Sequence, residues 1–188
     1  MSAADLELIE RARTGDEDAF RALLNRYEAQ VAATAIGMLG PGPDAEEVGQ
    51  DTFIRFHQSL SRFRGESSLG TYLTRIAINL SLNAAKRRQR ARARFWSRDR
   101  EEDPPPEPAV DGRETVERAA REALVRQAIQ ELKPEHRAVV VLRLVDGCST
   151  RDTAQLLGIP EGTVLSRLSR ALASLKSILE PRMADDET

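Results

Sequence analysis

The sequence predicts an all-α fold: two small helical domains joined by a flexible, acidic, proline-rich linker. Three observations carry this. Apolar residues recur at helical spacing on both sides of a central gap, with no strand alternation. Aromatic residues make up only 4% of the 188 residues while Leu, Ala and Arg dominate, which favours helices over strands. Between about Phe95 and Asp111 the periodicity disappears, and Pro104, Pro105, Pro106 and Pro108 stand among acids. The expected boundaries are 1–94 for the first domain, 95–113 for the linker, 114–180 for the second domain and 181–188 for a disordered tail.

In the first domain, Glu7 to Arg13 reads as a short helix that Gly15 breaks. Asp16, Glu17 and Asp18 suit the start of the next helix, which carries Phe20, Leu23, Leu24, Tyr27, Val31 and Ala35 on one face. Pro41-Gly42-Pro43 stops it. Asp44 is placed to cap a third helix with Val48, Thr52, Phe53, Phe56 and Leu60 inward. After a loop from Arg62 to Ser67, a long helix resumes near Ser68 with Leu69, Leu73, Ile76 and Leu80 inward, running out through Lys86, Arg87 and Arg88.

The second domain repeats helical spacing at Val116, Leu124, Ala128 and Leu132. Pro134 then opens a helix carrying Ala138, Val139, Leu142 and Val145, which Asp146-Gly147 ends. Ser149 with Asp152 three residues on forms a capping-box pattern for a short helix from Thr150 to Leu157. Gly158 suits a tight turn, Ile159 plugs the corner, and Pro160 stands at the start of a helix with Val164, Leu168, Leu172 and Leu175 inward. The unit has helix-turn-helix topology, which an ordinary αα-hairpin packed on its own domain shares. From Thr163 to Lys176 there are bases but no acid, and small side chains face outward, which favours a DNA groove.

Net charge is −2, but it is segregated along the chain. Residues 1–60 carry −6, 62–98 carry +9 with Glu66 the one acid, 99–117 carry −6 and 118–188 carry +1. Segments of such opposite sign are expected to face different partners. The single cysteine, Cys148, excludes an internal disulfide and suits a reducing compartment. No apolar run approaches the roughly 18 residues a membrane span needs, and no secretory signal pattern opens the chain, so a cytoplasmic protein is expected. His57 and His136 are isolated, with no phosphate-binding Gly-Lys loop and no nucleophile elbow, so neither an enzyme nor a cofactor or metal site is expected.

The stretch from Leu132 to Ser149, continued by Ala154-Gln-Leu-Leu-Gly-Ile-Pro-Glu-Gly-Thr-Val-Leu-Ser-Arg-Leu-Ser-Arg-Ala171, resembles region 4 of bacterial sigma factors. Asp44-Ala-Glu-Glu-Val-Gly-Gln-Asp-Thr-Phe-Ile-Arg-Phe56 and Arg62-Phe-Arg-Gly-Glu-Ser-Ser-Leu-Gly-Thr-Tyr-Leu-Thr-Arg-Ile-Ala-Ile-Asn79 resemble region 2. The two motifs, in this order and without a middle domain, resemble the extracytoplasmic-function (ECF) class.

The resemblance implies a non-catalytic specificity subunit that binds the RNA polymerase core through its beta and beta-prime subunits and directs promoter-specific initiation. Asp44, Glu46, Glu47, Gln50 and Asp51 are the implied core contacts. Phe63, Arg64, Ser67, Tyr72, Arg75, Asn79, Lys86, Arg87 and Arg88 would hold the single-stranded −10 element. There the cost of flipping a base, a few kcal/mol, must be repaid by stacking and edge hydrogen bonds. Thr150, Arg151, Thr163, Leu165, Ser166, Arg167, Ser169 and Arg170 would read duplex −35 DNA. Family members often carry Trp at the position of Tyr72 and a basic residue at that of Leu165; Leu165 and Ser169 shift readout towards apolar contacts such as a thymine methyl. The linker would thread a polymerase channel, with Phe95 and Trp96 either anchoring it or closing the first core. An anti-sigma partner and a nucleoid-associated location are further expectations of the family. A free-standing helix-turn-helix regulator and an adaptor that binds polymerase or an inhibitor but no longer initiates are the competing readings; the regulator needs neither the acidic docking helix nor the basic loop-helix, and run-off transcription with purified core separates all three.

Overall fold

The computed structural model describes residues 2–95 and 113–185, with side chains over 2–91 and 118–182. The expected linker contacts of Phe95 and Trp96 lie outside the described side chains. In chain order the helices are α1 (Ala3–Arg13), α2 (Glu17–Leu39), α3 (Pro43–Ser59), α4 (Leu69–Phe95), α5 (Arg113–Glu131), α6 (Pro134–Val140), α7 (Thr150–Leu157) and α8 (Glu161–Asp185). A 3₁₀ turn, Leu60–Arg62, follows α3, and a π-helical turn, Val141–Val145, follows α6.

Local chemistry sets most helix starts. The Ser2 hydroxyl accepts from the Asp5 N–H at 3.1 Å and the Asp5 carboxylate accepts from the Ser2 N–H at 3.3 Å, a reciprocal cap. Asp16 caps α2 by accepting from the Ala19 N–H at 3.0 Å. The Ser68 hydroxyl does the same for α4 through the Thr71 N–H at 3.1 Å. Asp44 does not cap α3: Gly42 holds that position with φ of 133°, a value that disfavours an L side chain, and Pro43 leads the helix. The Asp44 carboxylate instead points to Arg88 Nε at 3.7 Å.

The first four helices share a core of Ile9, Leu23, Val31, Phe56, Leu60, Phe63, Leu69, Leu73 and Ala77. Phe56 and Tyr72 both stack edge-on against Phe63, at centroid distances of 6.2 and 4.9 Å, and the Tyr72 hydroxyl donates to Ser59 Oγ at 2.9 Å. Gly70 allows α4 to cross close to α2, since a Cβ there would stand 2.9 Å from Gln30 Oε1. Gln30 in turn donates to Thr74 Oγ1 at 3.0 Å.

The C-terminal helices follow the expected order with three differences. The helix opened by Pro134 widens into the π turn, which leaves Val145 exposed rather than inward. On α8 the inward residue is Ala171, fully buried, while Leu172 is 46% exposed, because Val164, Leu168, Ala171 and Leu175 follow the helical repeat more closely. The helix also continues over 181–185, where a tail is expected; Arg182 Nη2 pairs with Glu131 Oε1 of α5 at 2.6 Å and ties this last stretch down.

The two sets of helices do not stand apart. Ala35, Met38, Leu39, Val48, Ile78 and Ala84 of the first set form one buried cluster with Ala138, Val141, Leu142 and Leu156 of the second. Polar contacts concentrate at the end of α2, whose last carbonyls have no partner one turn further on. Gly40 N–H bonds the Ile36 carbonyl at 2.8 Å, and Arg88 Nη1 reaches that of Leu39 at 3.3 Å. The other two come from the second set: Gln130 Nε2 donates to the Gly37 carbonyl at 3.0 Å, and Arg137 Nη1 to that of Met38 at 2.6 Å. Arg137 is buried and also donates to the carbonyls of Ile129, Gln130 and Leu132.

Candidate polymerase and promoter surfaces

Three surfaces emerge. The first is a groove of about 860 Å³ between α2 and α3. Leu24, Val31, Ala45, Phe53 and Ile54 give it apolar walls, and Glu28, Glu46 and Gln50 stand among its polar lining residues. Gly49 lies in it, and a Cβ there would meet nothing within 4 Å. Glycine inside a helix costs about 1 kcal/mol relative to alanine. Here no neighbour in the chain demands it, so its effect is to keep the groove open. Of the implied core contacts, Glu46 and Gln50 line this groove. Asp44 and Glu47 lie beside it, paired with Arg88 and with Arg87, the latter at 3.4 Å. Asp51, half-buried, does not line the groove.

The second surface is the loop before α4 and the face of α4. Asn79 and Lys86 are exposed, and Arg75 is half-buried. Arg64 is exposed, 3.9 Å from Glu66, and Ser67 is half-buried. Phe63 departs from expectation: it is 6% exposed and belongs to the aromatic core, so it is not free to stack on a base. Its carbonyl is bonded by Arg13, which also donates to the Leu60 carbonyl at 3.1 Å and so fixes the loop from α1. Arg87 and Arg88, expected on phosphates, are engaged by the acids of α3. Asn83, one turn beyond Asn79 and also exposed, lies on the same strip of α4; its i+4 spacing was the available signal.

The third surface is the helix-turn-helix. Ser149 Oγ accepts from the Asp152 N–H at 3.1 Å, while its own hydroxyl lies 2.6 Å from the Asp152 carboxylate, so the return bond uses side chain rather than backbone. Gly158 adopts the left-handed conformation, φ 64°, that the turn requires. Arg151, Leu165, Ser166, Ser169 and Arg170 are exposed, and Thr150, Thr163 and Arg167 half-buried. Ser166 bonds back to the Thr163 carbonyl at 3.1 Å. Burial first, then the positive field of Lys133, Arg167 and Arg170, holds the His136 pKa below its ordinary value. Those three cations therefore stand near His136.

The region 2 family of sigma-70 factors matches residues 23–91, and the region 4 family matches residues 122–175. The chain is 33% identical to the RNA polymerase sigma-H factor of Pseudomonas aeruginosa, covering 96% of both chains. The chain belongs to the ECF sigma factors. It is 32% identical to the ECF sigma-E factor of Haemophilus influenzae, over 95% of this chain and 97% of that one. A solved structure of the sigma factor RpoE from Bartonella quintana, in complex with the anti-sigma factor NepR, superposes with a TM-score of 0.67 at 25% identity. It covers 86% of this chain and 96% of that one. As an ECF sigma factor the chain is a non-catalytic polymerase subunit that directs promoter-specific initiation, with regions 2 and 4 serving the −10 and −35 elements. Among the described residues no helix is long and apolar enough to cross a membrane.

The burial of Cys148, then the carboxylates of Asp146 and Asp152, raise its thiol pKa, which disfavours the reactive thiolate. Burial raises the Asp5 pKa, but hydrogen bonds from Ser2, Arg26 and Tyr27 outweigh it and hold the carboxyl below its usual range. Burial and that same carboxylate push Tyr27 up to about 12.

Proposed function

We propose that the α2–α3 groove docks the polymerase core, that the loop after α3 and the exposed strip of α4 hold the opened −10 strand, and that α7 and α8 read the −35 duplex. The observation that carries the docking assignment is Gly49: a helix-interior glycine with nothing facing it, on an apolar groove edged by Glu46 and Gln50. Such a groove suits a helical partner that brings basic side chains to an acidic rim. The −10 role is supported by Asn79 and Lys86, exposed on the helix that follows the loop. An amide offers a base edge both a donor and an acceptor.

The working division is 1–94 for core binding and the −10 element and 114–180 for the −35 element, joined by 95–113. A protein inhibitor is a further expected partner, because a structural relative covering most of its length was solved with an anti-sigma factor. Action at the nucleoid follows from promoter binding.

Gly49→Gln tests the docking assignment. It replaces glycine with a better helix former, so thermal stability should hold or rise, while affinity for purified core falls at least tenfold because the side chain occupies the groove. Unchanged core affinity would place docking elsewhere.

A further inference from the structure

The loop before α4 is held at both ends but lightly in between. Phe63 anchors its start in the aromatic core, and the Ser68 hydroxyl caps α4 at its end. Between them Arg64 and Glu66 are exposed, their charges 3.9 Å apart, and Gly65 takes a positive φ of 69°. An exposed pair of that length restrains little. A segment that must be ordered on binding costs conformational entropy, and any restraint already present in the free protein removes part of that cost.

Such a restraint comes from α1. Arg13 Nε donates to the Leu60 carbonyl at 3.1 Å and Nη2 donates to the Phe63 carbonyl, across 47 and 50 residues of chain. The third nitrogen, Nη1, pairs with Glu10 one turn back on α1. Every nitrogen of the guanidinium is therefore engaged, and its rigid fork spans two carbonyls at once, which a compact ammonium does not reproduce. Among the described residues no other side chain from outside the loop donates to a backbone carbonyl of 60–68. Arg11, at the same end of α1, pairs instead with Asp16 and braces the turn into α2. Arg13 grips backbone, so it sets the path of the chain as it leaves the core. Its side chain is 27% exposed, so water competes for these bonds and their share in overall stability is small.

We propose that Arg13 is a positioning residue for the −10 strand: by holding the carbonyls of Leu60 and Phe63 it presets Arg64–Ser67 to receive the strand without touching DNA itself, a role that rests on the reading of this loop as part of the −10 site. Losing the fork frees the loop, so binding weakens and discrimination among bases at the position the loop holds declines. A lost phosphate contact would act differently. It would weaken binding to every sequence alike and lower the salt slope by about 0.7 for a single strand.

The test uses holoenzyme reconstituted from core polymerase and the full-length factor. Its probe is a single-stranded oligonucleotide selected from a random pool by the parent holoenzyme, with single abasic replacements along it. Arg13→Ala should bind the intact strand about tenfold more weakly, with an unchanged salt slope and a smaller penalty for the most damaging abasic site. Core affinity and the melting midpoint should change little. Millimolar guanidinium should restore strand binding to Arg13→Ala, because the vacated site is open to water. Arg13→Lys keeps the charge and guards against misfolding; it should still lose most of the discrimination. Parental affinity and discrimination in Arg13→Ala overturn the proposal. Equal loss for every sequence with a reduced salt slope makes Arg13 a phosphate contact and also overturns it. Weaker binding with discrimination retained and an early melt reduces Arg13 to a brace of the domain. If Arg64→Ala and Asn79→Ala leave strand binding unchanged, the −10 assignment itself fails; losses in those two with none in Arg13→Ala remove Arg13 alone.

Discussion

The two ends of α2 are held by different means. At its N-terminus Asp16 caps the helix from the position just before it and pairs with Arg11 at 2.8 Å. At its C-terminus two of the exposed carbonyls are bound by Gln130 and Arg137. The first end belongs to region 2 alone and persists whatever region 4 does. The second depends on side chains of region 4, so one helix belongs both to the core of its own domain and to the contact between the two.

Three substitutions separate the two ends, from the largest effect to the smallest. Arg137→Met removes donors to the carbonyls of Ile129, Gln130 and Leu132 as well as Met38 and leaves them buried. It should cost about 3 kcal/mol or more in urea unfolding, with region 4 melting first. A loss below about 1 kcal/mol would show that water replaces those bonds. Asp16→Ala should cost about 1 kcal/mol, the usual value of a cap, and leave the melting of region 4 unchanged. Earlier melting of region 4 in that variant would mean that the two ends are coupled.

Asp146 gives the smallest effect. Burial raises its pKa to about 6, against the opposing hydrogen bond from Thr34. The folded chain therefore binds the proton more tightly than the unfolded chain, where the ordinary value of 3.8 applies. Its contribution to stability is fully present below the ordinary carboxylate range and is lost as pH rises through about 6. Between pH 5.5 and 7.5 the folded-to-unfolded ratio should fall about fourfold on its account. From α2 the carboxyl meets Thr34, whose hydroxyl also bonds the Gln30 carbonyl; Cys148 is the titratable group of region 4 that feels it, and Arg143 and Asp152 act on that same thiol. Asp146→Asn should abolish this pH dependence in urea unfolding and raise stability at pH 7.5. A pH profile that survives the substitution would assign the effect to another of these groups.

Much of this was legible in the residues. Asp16, Ser149, Gly158 and Pro160 announce helix ends because capping and turn chemistry is local, and Thr150–Leu157 appears with the expected limits. The spacing of Leu69, Leu73 and Leu80 marks an inward face that the structure keeps. Phe63 was misread because its surrounding motif is polar and loop-like, while its burial depends on Phe56 and Tyr72 arriving from α3 and α4. Arg137 was missed because a charged residue at helical spacing reads as solvent-facing until the carbonyls around it are in place.

The sequence by itself determined eight helices in two groups, the helix-turn-helix and the sign of each surface, since periodicity, caps and charge act over a few residues. Only the tertiary structure decided that the groups close on each other, that Gly49 opens a groove and that Gly37 admits Val141. A missing Cβ and an orphaned carbonyl have no meaning in a sequence. They acquire one only from whatever is packed against them.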